Sequence, residues 1–235
     1  MSDPFFGELY LRSTRPFLSA DVTAAEGEFL RGHFPEGPVL DLGCGHGRHL
    51  AQVGQAFGVD GDQLSLVEAR RARPVARADL RVLPWRTGAF RGVYCWYNSL
   101  GTMEDDQIRR VLAEVARCTA PGGRLIVQGT HISRSRAQPQ ASFDGPIGHG
   151  DHLREWADFN FEKRRDELKR ELTTSDGRVL TAEFFIRYFE LDEWRSWLDA
   201  VGFELKWALG GVDGSPPDDG ATDLIVGAER RAAAC

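Results

Sequence analysis

The sequence predicts an α/β protein built on a doubly wound, mainly parallel sheet of seven strands. Between residues 38 and 130, five short apolar runs alternate with helical stretches, which is typical of βαβ units and a parallel sheet. Two further apolar runs, at 203–208 and 223–228, are predicted as closing strands, with a terminal antiparallel strand. The 235 residues suffice for one large domain, or for one domain with an insert.

The predicted elements follow one another in a simple order. Residues 1–37 are expected to form an N-terminal helical cap that ends at Gly37 and Pro38, and residues 38–235 form the main domain. The clearest helix is 105–119, where apolar residues recur with helical spacing. The five apolar runs predicted as strands are 39–42, 57–60, 74–78, 92–97 and 124–129.

An insert is predicted at about 131–190. Its first part, residues 131–150, is rich in Ser, Gly, Pro and Gln, so we expect a mobile loop that acts as a lid. The second part has a hairpin-turn signal at 174–177 beside alternating apolar residues, which predicts antiparallel strands. We expect this insert to cover the carboxyl ends of the parallel strands. An amphipathic helix around Trp194 follows and ends at Gly202.

Composition and charge exclude several classes of protein. Hydrophobic residues make up 42% and charged residues 27% of the chain, an ordinary globular balance. The formal net charge of −6 argues against a general nucleic-acid binder. No apolar run approaches the length of a membrane span, and the first 30 residues lack a secretory signal. We therefore expect a cytoplasmic protein without nucleic-acid or membrane partners, either a monomer or a homodimer.

The cysteines and the basic residues indicate a reduced compartment and a bacterial source. The four cysteines show no CxxC pairing, so they are interpreted as reduced thiols and not as a zinc site. Only three of the 29 basic residues are lysines, which we interpret as the codon bias of a GC-rich, bacterial genome. The cysteines are Cys44, Cys95, Cys118 and Cys235.

The strongest motif is the segment VLDLGCGHGR at residues 39–48. A buried strand runs into a glycine turn, and a helix is expected directly after it. Gly43 and Gly45 allow a ligand to approach the backbone closely, and Gly47 allows the helix to pack on the strand. Arg48 stands where a dinucleotide fingerprint needs a glycine, so a nicotinamide-dependent oxidoreductase is the less favoured alternative.

Five segments in order resemble the class I S-adenosylmethionine-dependent methyltransferases, clearly over residues 39–130. The resemblance implies a Rossmann-like fold and an enzyme that uses S-adenosylmethionine as its methyl donor. The terminal regions resemble the branch of small-molecule N- and O-methyltransferases, through Tyr10 and Arg15 near the start and Arg187 to Phe203 near the end. The five segments are VLDLGCGHGRHL (39–50), GVDGD (58–62), ARADLRVLPW (76–85), YCWYNSLGT (94–102) and APGGRLIV (120–127).

The resemblance assigns residues to the cofactor. Asp60, at the end of the second strand, is expected to accept hydrogen bonds from both ribose hydroxyls. Asp79 and Leu80 are expected to meet the adenine, and the N-terminal helix is expected to fold over the cofactor. The full predicted cofactor set is Tyr10, Arg15, Gly43, Cys44, Gly45, Asp60, Gly61, Asp79, Leu80 and Trp96.

Candidate acceptor residues follow the fourth and fifth strands, where a parallel sheet presents ligands. Asn98 and His131 are the predicted catalytic residues, with His131 as the general base for a hydroxyl acceptor or, equally, a surface histidine. An amine acceptor need only lose its proton to water or to a carboxylate. The predicted substrate residues are Tyr97, Trp156, Arg187 and Tyr188.

The sequence thus predicts transfer of a methyl group to an N or O atom of a small molecule or peptide, in secondary metabolism. The reaction would be an in-line displacement that depends on positioning and desolvation. The segment after the fourth strand lacks the acidic pair of the catechol branch, so no metal is expected. The tetrapeptide of the base-methylating branch is absent too. The alternative within the resemblance is a non-catalytic subunit that binds S-adenosylmethionine.

Overall fold

The structure is a computed structural model that describes residues 5–232, so Cys235 lies outside the described part. A short 3-10 helix at Arg15–Phe17 joins the first two α-helices, and Ser19 caps the second by accepting a hydrogen bond from Val22 N–H. The described helices are α1 (Glu8–Ser13), α2 (Ala20–His33), α3 (Gln63–Ala69), α4 (Asp105–Cys118), α5 (Ile132–Ala137) and α6 (Leu191–Ala200).

The strands form two separate sheets. Seven belong to a central sheet and four to a smaller, inserted sheet. The strands are β1 (Val39–Leu42), β2 (Ala56–Asp60), β3 (Val75–Arg77), β4 (Phe90–Cys95), β5 (Thr119–Thr130), β6 (Gln140–Pro146), β7 (His152–Asn160), β8 (Arg165–Thr173), β9 (Val179–Arg187), β10 (Phe203–Leu209) and β11 (Asp223–Arg230).

The central sheet has the order β10-β11-β5-β4-β1-β2-β3. Strands β1 to β5 pair in parallel, and β11 runs antiparallel to both β5 and β10. This confirms the predicted seven-stranded, mainly parallel sheet. Because β1 lies inside the sheet with helices on both faces, all four of its residues are buried, including the polar Asp41.

The helices cover the two faces of the central sheet. On one face, Leu30 of α2 and Leu66 of α3 share a core with Tyr94. On the other face, Ile108 of α4 and Leu198 of α6 belong to a second core cluster. The apolar residues that recur with helical spacing in the sequence thus form the buried side of α4. In the part of the chain that the structure describes, no helix has the length and apolar character needed to cross a membrane.

The inserted sheet has the antiparallel order β6-β7-β8-β9. One face packs against the N-terminal segment, where Leu153 and Leu172 meet Phe5 and Leu9. Its last strand comes close to the carboxyl end of β4, because a Cβ on Gly101 would lie 2.7 Å from the carbonyl oxygen of Arg187. The antiparallel insert predicted from the sequence is confirmed, and it lies next to the strand ends that carry the candidate site.

Two local predictions are wrong. Residues 131–150 are not an irregular loop, because they contain α5 and the strand β6, which pairs with β7 from Gln140 through Pro146. An edge strand has one partner and buries few side chains, so a polar segment ending in proline is compatible with it. No helix follows the glycine turn, because only one helical hydrogen bond, from Val53 N–H to His49 O, forms before Gly54.

Candidate active site

The glycine turn after β1 has one open side. Gly45 has a φ of +51°, and a Cβ placed on it would meet no described atom within 4 Å. Gly47 has a φ of +82° and approaches α3, where a Cβ would lie 2.9 Å from the Cα of Ala69. The glycine therefore permits close packing, as predicted, although its neighbour is α3 and not a helix of its own segment. Side chains are disfavoured at both positions, and the free space lies at Gly45.

Asp60 joins the end of β2 to this turn. Its Oδ2 accepts a hydrogen bond of 2.8 Å from Gly45 N–H, and its Oδ1 accepts one of 2.8 Å from Asp62 N–H. Burial raises the pKa of the Asp60 carboxyl, while the backbone donors at Asp62 and Gly45 oppose that rise. Each carboxylate oxygen keeps further acceptor capacity, so Asp60 remains able to bind a pair of hydroxyls beside Gly45.

The other residues predicted around the cofactor differ in how far they are buried. Leu80 is buried, and its side chain comes within 3.9 Å of a Cβ built on Gly43. Asp79 is exposed and forms an ion pair of 2.6 Å with Arg81, which holds the pKa of the Asp79 carboxyl below its usual value. Cys44 is buried, and burial raises the pKa of its thiol, so it is not a reactive nucleophile. Gly61 is exposed, directly after Asp60.

A buried network lies beneath the turn, centred on Glu26 of α2. Glu26 accepts hydrogen bonds from Trp96 Nε1 at 2.8 Å, from His49 Nε2 at 3.0 Å and from Arg48 Nη1. Burial raises the pKa of the Glu26 carboxyl, but the hydrogen bonds from His49 and Arg48 prevail and lower it to about 2. Trp96, predicted to touch the cofactor, is thus a core residue that anchors this carboxylate.

The backbone just after β4 is strained. Tyr97 and Asn98 are consecutive non-glycine residues with φ of +59° and +57°. Such conformations cost about 1–3 kcal/mol each and are found at functional sites. Tyr97 N–H donates to Gln128 Oε1 at 2.6 Å, while the Asn98 side chain binds Thr130 through both its oxygen and its nitrogen, at 2.8 and 2.9 Å. These bonds hold the exposed Tyr97 side chain with the Arg48 guanidinium 5.6 Å from the centre of its ring.

Residues 5–17 form an N-terminal segment that lies over this region and is called the roof. Burial raises the pKa of Tyr10 to about 12. A Cβ placed on Gly7 would lie 3.7 Å from Asp62 Oδ1, so this segment lies next to the start of α3. Arg170 of β8 ties the segment to the inserted sheet, because its Nη1 donates to Ser13 Oγ at 2.8 Å. The roof therefore has contacts with both the central domain and the insert.

Two predicted site residues have their side chains bonded to other partners in this structure. Arg15 is exposed and pairs with Glu68 of α3 at 2.7 Å. Trp156 is 40% exposed and lies on the face of the inserted sheet opposite the one that packs on the N-terminal segment. Its ring carries the Arg154 guanidinium at 5.9 Å. Their roles toward cofactor and substrate remain predictions, and this conformation directs both side chains to other partners.

Arg187 and Tyr188 are buried beside the carboxyl end of β4. Arg187 forms an ion pair of 2.6 Å with Glu193 of α6, and the Tyr188 hydroxyl donates to Asp166 Oδ2 at 2.7 Å. The cavity next to them, shared with Asn98, holds about 10 Å³, which is the space of one water. Both side chains contribute to the structure here, and substrate contact by either one stays a prediction.

His131 caps the helix that follows β5. Its Nδ1 lies 2.7 Å from Ser133 Oγ, and Ser133 N–H donates to the same nitrogen at 3.4 Å. With Nδ1 accepting from the backbone, the neutral ring carries its proton on Nε2. The ring is then a donor at its free nitrogen, so a role as general base, which stays a prediction, would require the other tautomer.

Residues 39–123 match a family described as a methyltransferase domain. This segment contains the glycine turn, Asp60 and the strained end of β4. The segment that carries the candidate site is thus similar to a methyltransferase domain. The N-terminal roof and the inserted sheet lie outside the matched segment.

Similar proteins extend the likeness to the whole chain. An uncharacterized protein of Methanocaldococcus jannaschii is 25% identical over 204 residues, which cover 82% of this chain and 72% of that one. The CcbJ methyltransferase from Streptomyces caelestis superposes with a TM-score of 0.78 at 16% identity, over 94% and 96% of the two chains. An amino pentose methyltransferase from Micromonospora echinaspora gives 0.67 at 18% identity, over 96% and 98%. The two structural matches thus share the fold over nearly the whole length of both chains.

The residues at the turn fit S-adenosylmethionine. The open side of Gly45 leaves space against the backbone, and the Asp60 carboxylate beside it has acceptor capacity for a ribose diol. Leu80 supplies an apolar surface next to Gly43. In the described residues, no group of three or more His, Cys, Asp or Glu side chains is arranged to hold a metal ion.

Proposed function

We propose that this methyltransferase transfers the methyl group of S-adenosylmethionine to an amine nitrogen of a small polar molecule such as an amino sugar. The observation that carries the proposal is the geometry at Gly45, where an open turn and a hydrogen-bonded Asp60 carboxylate stand side by side. The sulfonium of the bound cofactor supplies an electrophilic methyl group. The contribution of the chain is to bind, to orient and to exclude water.

The surfaces above the turn suit a polar acceptor. Tyr97 projects from the strained end of β4, and Tyr10 comes from the roof. Glu155 of β7 lies on the inner face of the inserted sheet, where its Oε2 accepts a hydrogen bond of 2.5 Å from Arg170. Its charge acts on the ionisation of Tyr97, so it lies on the same side. The Tyr97 ring already carries the Arg48 guanidinium, and Glu155 is paired with Arg170, so these side chains favour a polar acceptor that carries no charge, such as a free amine.

The proton chemistry of the site favours nitrogen over oxygen. An amine becomes nucleophilic when it loses one proton to water or to a carboxylate, whereas a hydroxyl needs a positioned base. Among the described histidines, His49 is bonded to Glu26 and His131 caps α5, so neither is free to act as a positioned base in this conformation. The likeness to an amino pentose methyltransferase supports the same class of acceptor.

The test is a matched pair of acceptors. Purified protein is incubated with S-adenosylmethionine and either an amino sugar or the corresponding hydroxyl sugar, and S-adenosylhomocysteine and the product are measured by mass spectrometry. The proposal expects a product heavier by one methylene with the amino sugar alone. Methylation of the hydroxyl sugar alone would contradict the choice of nitrogen. Binding of the cofactor without transfer to any amine, hydroxyl or short peptide would instead indicate a non-catalytic subunit.

A further inference from the structure

A buried amide side chain, Gln128, lies near the carboxyl end of β5 and connects two other parts of the central sheet. Its Oε1 accepts a hydrogen bond of 2.6 Å from Tyr97 N–H, just after β4. Its Nε2 donates to Asp223 Oδ1 at 2.8 Å, at the start of β11. A backbone N–H only donates and a carboxylate only accepts, so these two partners determine which way the amide points. Gln128 is 7% exposed, so both bonds are sheltered from water.

The first of these bonds supports a strained residue. Tyr97 has a φ of +59°, a conformation that a non-glycine residue keeps only where its surroundings hold it. Its neighbour Asn98 is fixed by two side-chain bonds to Thr130, so β5 holds both strained residues. The Tyr97 side chain itself is 38% exposed. The backbone is thus held from inside the protein, while the ring is free to meet a ligand.

The second bond brings the carboxyl-terminal part of the chain to the candidate site. Asp223 lies opposite Thr130 in the antiparallel pairing of β11 with β5. Burial raises the pKa of the Asp223 carboxyl, and the hydrogen bond from Gln128 opposes that rise. Gln128 and Asp223 both lie outside the matched segment 39–123, whereas Tyr97 lies inside it. The conformation of Tyr97 therefore depends on two side chains that the matched segment does not contain.

We propose that Gln128 and Asp223 are positioning residues that set the Tyr97 ring for contact with the methyl acceptor, an inference that rests on the proposed function. Gln128 holds the Tyr97 backbone, and Asp223 fixes the orientation of the Gln128 amide. A small change in the Tyr97 backbone displaces the distant phenol hydroxyl more than the Cα. A displaced ring should weaken binding of the acceptor and leave the affinity for the cofactor unchanged, because the turn at Gly45 is not altered.

A pair of substitutions that exchanges donor and acceptor tests this connection. Gln128→Glu removes the donor and places a carboxylate against that of Asp223, whereas Asp223→Asn alone keeps an acceptor oxygen for Gln128. In the double variant, the new carboxylate accepts both from Tyr97 N–H and from the new amide, so the connection is restored. Adjacent carboxyl groups share a proton in acid, so the measurements are made at about pH 8.

Two further variants complete the set. Gln128→Met removes both bonds without adding a charge, and it replaces Gln128→Glu if the latter does not fold. Gln138→Glu makes the same chemical change at an exposed glutamine and is the matched control. Circular dichroism reports the fold of each variant.

Each variant is measured in three ways: KM and kcat for the amino sugar, the Kd for S-adenosylhomocysteine by calorimetry, and the hydrogen-exchange rate of Tyr97 N–H by NMR. Gln128→Glu and Gln128→Met should raise KM and the exchange rate about tenfold or more. Their kcat and Kd should stay within about threefold of wild type. Asp223→Asn, the double variant and Gln138→Glu should stay within about threefold of wild type in every measurement.

The outcomes separate this inference from the proposed function. A double variant that is as defective as Gln128→Glu would overturn the pairing with Asp223. Faster exchange at Tyr97 with an unchanged KM would overturn the role toward the acceptor. Equal losses of acceptor and cofactor binding would do so too, because the bonds would then support the site as a whole. These results leave the proposed function standing, whereas wild-type protein that methylates no amino sugar would overturn the proposed function and this inference with it.

Discussion

Asp60→Asn changes the residue that joins the cofactor turn to the ribose position. In the wild type, both carboxylate oxygens accept backbone hydrogen bonds of 2.8 Å, from Gly45 and from Asp62. The amide of Asn keeps one acceptor oxygen and places a donor group against one of those N–H groups. The change therefore removes the negative charge and one backbone bond, while the size of the side chain stays the same.

The expected loss follows from the strength of charged hydrogen bonds. A bond to a charged group contributes about 1.5–3 kcal/mol against about 0.5–1.5 kcal/mol for a neutral one. Replacing two charged acceptor sites for a diol by one neutral site should weaken cofactor binding by about 2–3 kcal/mol, which is about 30- to 150-fold. Protein stability should fall by about 1 kcal/mol, because one backbone N–H loses its acceptor.

The assay is calorimetric titration of S-adenosylhomocysteine into wild type, Asp60→Asn and the neighbouring variant Asp62→Asn. Asp62 caps α3, accepting from Leu64 and Ser65 N–H, and Asn caps a helix about as well. Asp62→Asn should therefore bind as wild type does. An Asp60→Asn protein that is folded by circular dichroism and binds within about threefold of wild type would refute the assignment of the ribose to Asp60.

Three further predictions concern the turn, the buried network and the helix cap. Gly45→Val should weaken cofactor binding more than Asp60→Asn does, because a β-branched side chain opposes a φ of +51° and enters the open side of the turn. If calorimetry shows that this variant binds the cofactor normally, the cofactor binds elsewhere. Glu26→Gln should lower the free energy of unfolding in urea by about 1–3 kcal/mol near neutral pH. The native pKa of Glu26, about 2, lies below its ordinary value of 4.5. This carboxylate therefore stabilises the fold above pH 4.5 and loses that effect as the pH falls toward 2. A difference in the free energy of unfolding between variant and wild type that does not shrink in acid would contradict the network. His131→Asn should keep methyl transfer within about threefold of wild type, because Asn preserves the cap of α5; a loss of about 100-fold or more in rate would instead establish His131 as a base.

Local sequence signals were sufficient for the central fold and for the glycine turn that lies beside Asp60. β1 and the turn are contiguous, Asp60 ends the next strand, and the apolar residues of α4 keep a strict helical period. Such features depend on neighbours within a few residues, so they can be read without knowledge of the tertiary structure. The parallel pairing follows from the alternation of strands and helices.

The buried network could not be predicted because its members are far apart along the chain. Glu26 and Trp96 are 70 residues apart, and neither lies in a motif that indicates the other. The sequence signal available in retrospect is a glutamate next to Gly27 and Leu30 on the buried side of α2. A carboxylate on that side requires partners, which are Arg48, His49 and Trp96.

The insert was harder to predict from the sequence. Alternate residues of a strand face opposite sides of the sheet, so the side chains that face the site depend on where each strand begins. The sequence predicted a turn at 174–177, whereas the structure also turns at 161–164, with Arg164 at a φ of +52°. Without that turn the face of Trp156 was undefined, since a shift of one residue exchanges the two faces of a strand. The polar edge strand β6 has the amino-acid composition of a loop, so only its pairing with β7 distinguishes it from a loop.

The most direct test of the account is the crystal structure of the wild-type protein with S-adenosylhomocysteine. The account predicts the nucleoside at the open side of Gly45, with both ribose hydroxyls at hydrogen-bond distance, about 2.6–3.2 Å, from the Asp60 carboxylate. The sulfur should face the space bounded by Tyr97, Tyr10 and Glu155. A nucleoside bound away from the turn, or bound there with its ribose hydroxyls directed away from Asp60, would contradict the central claim.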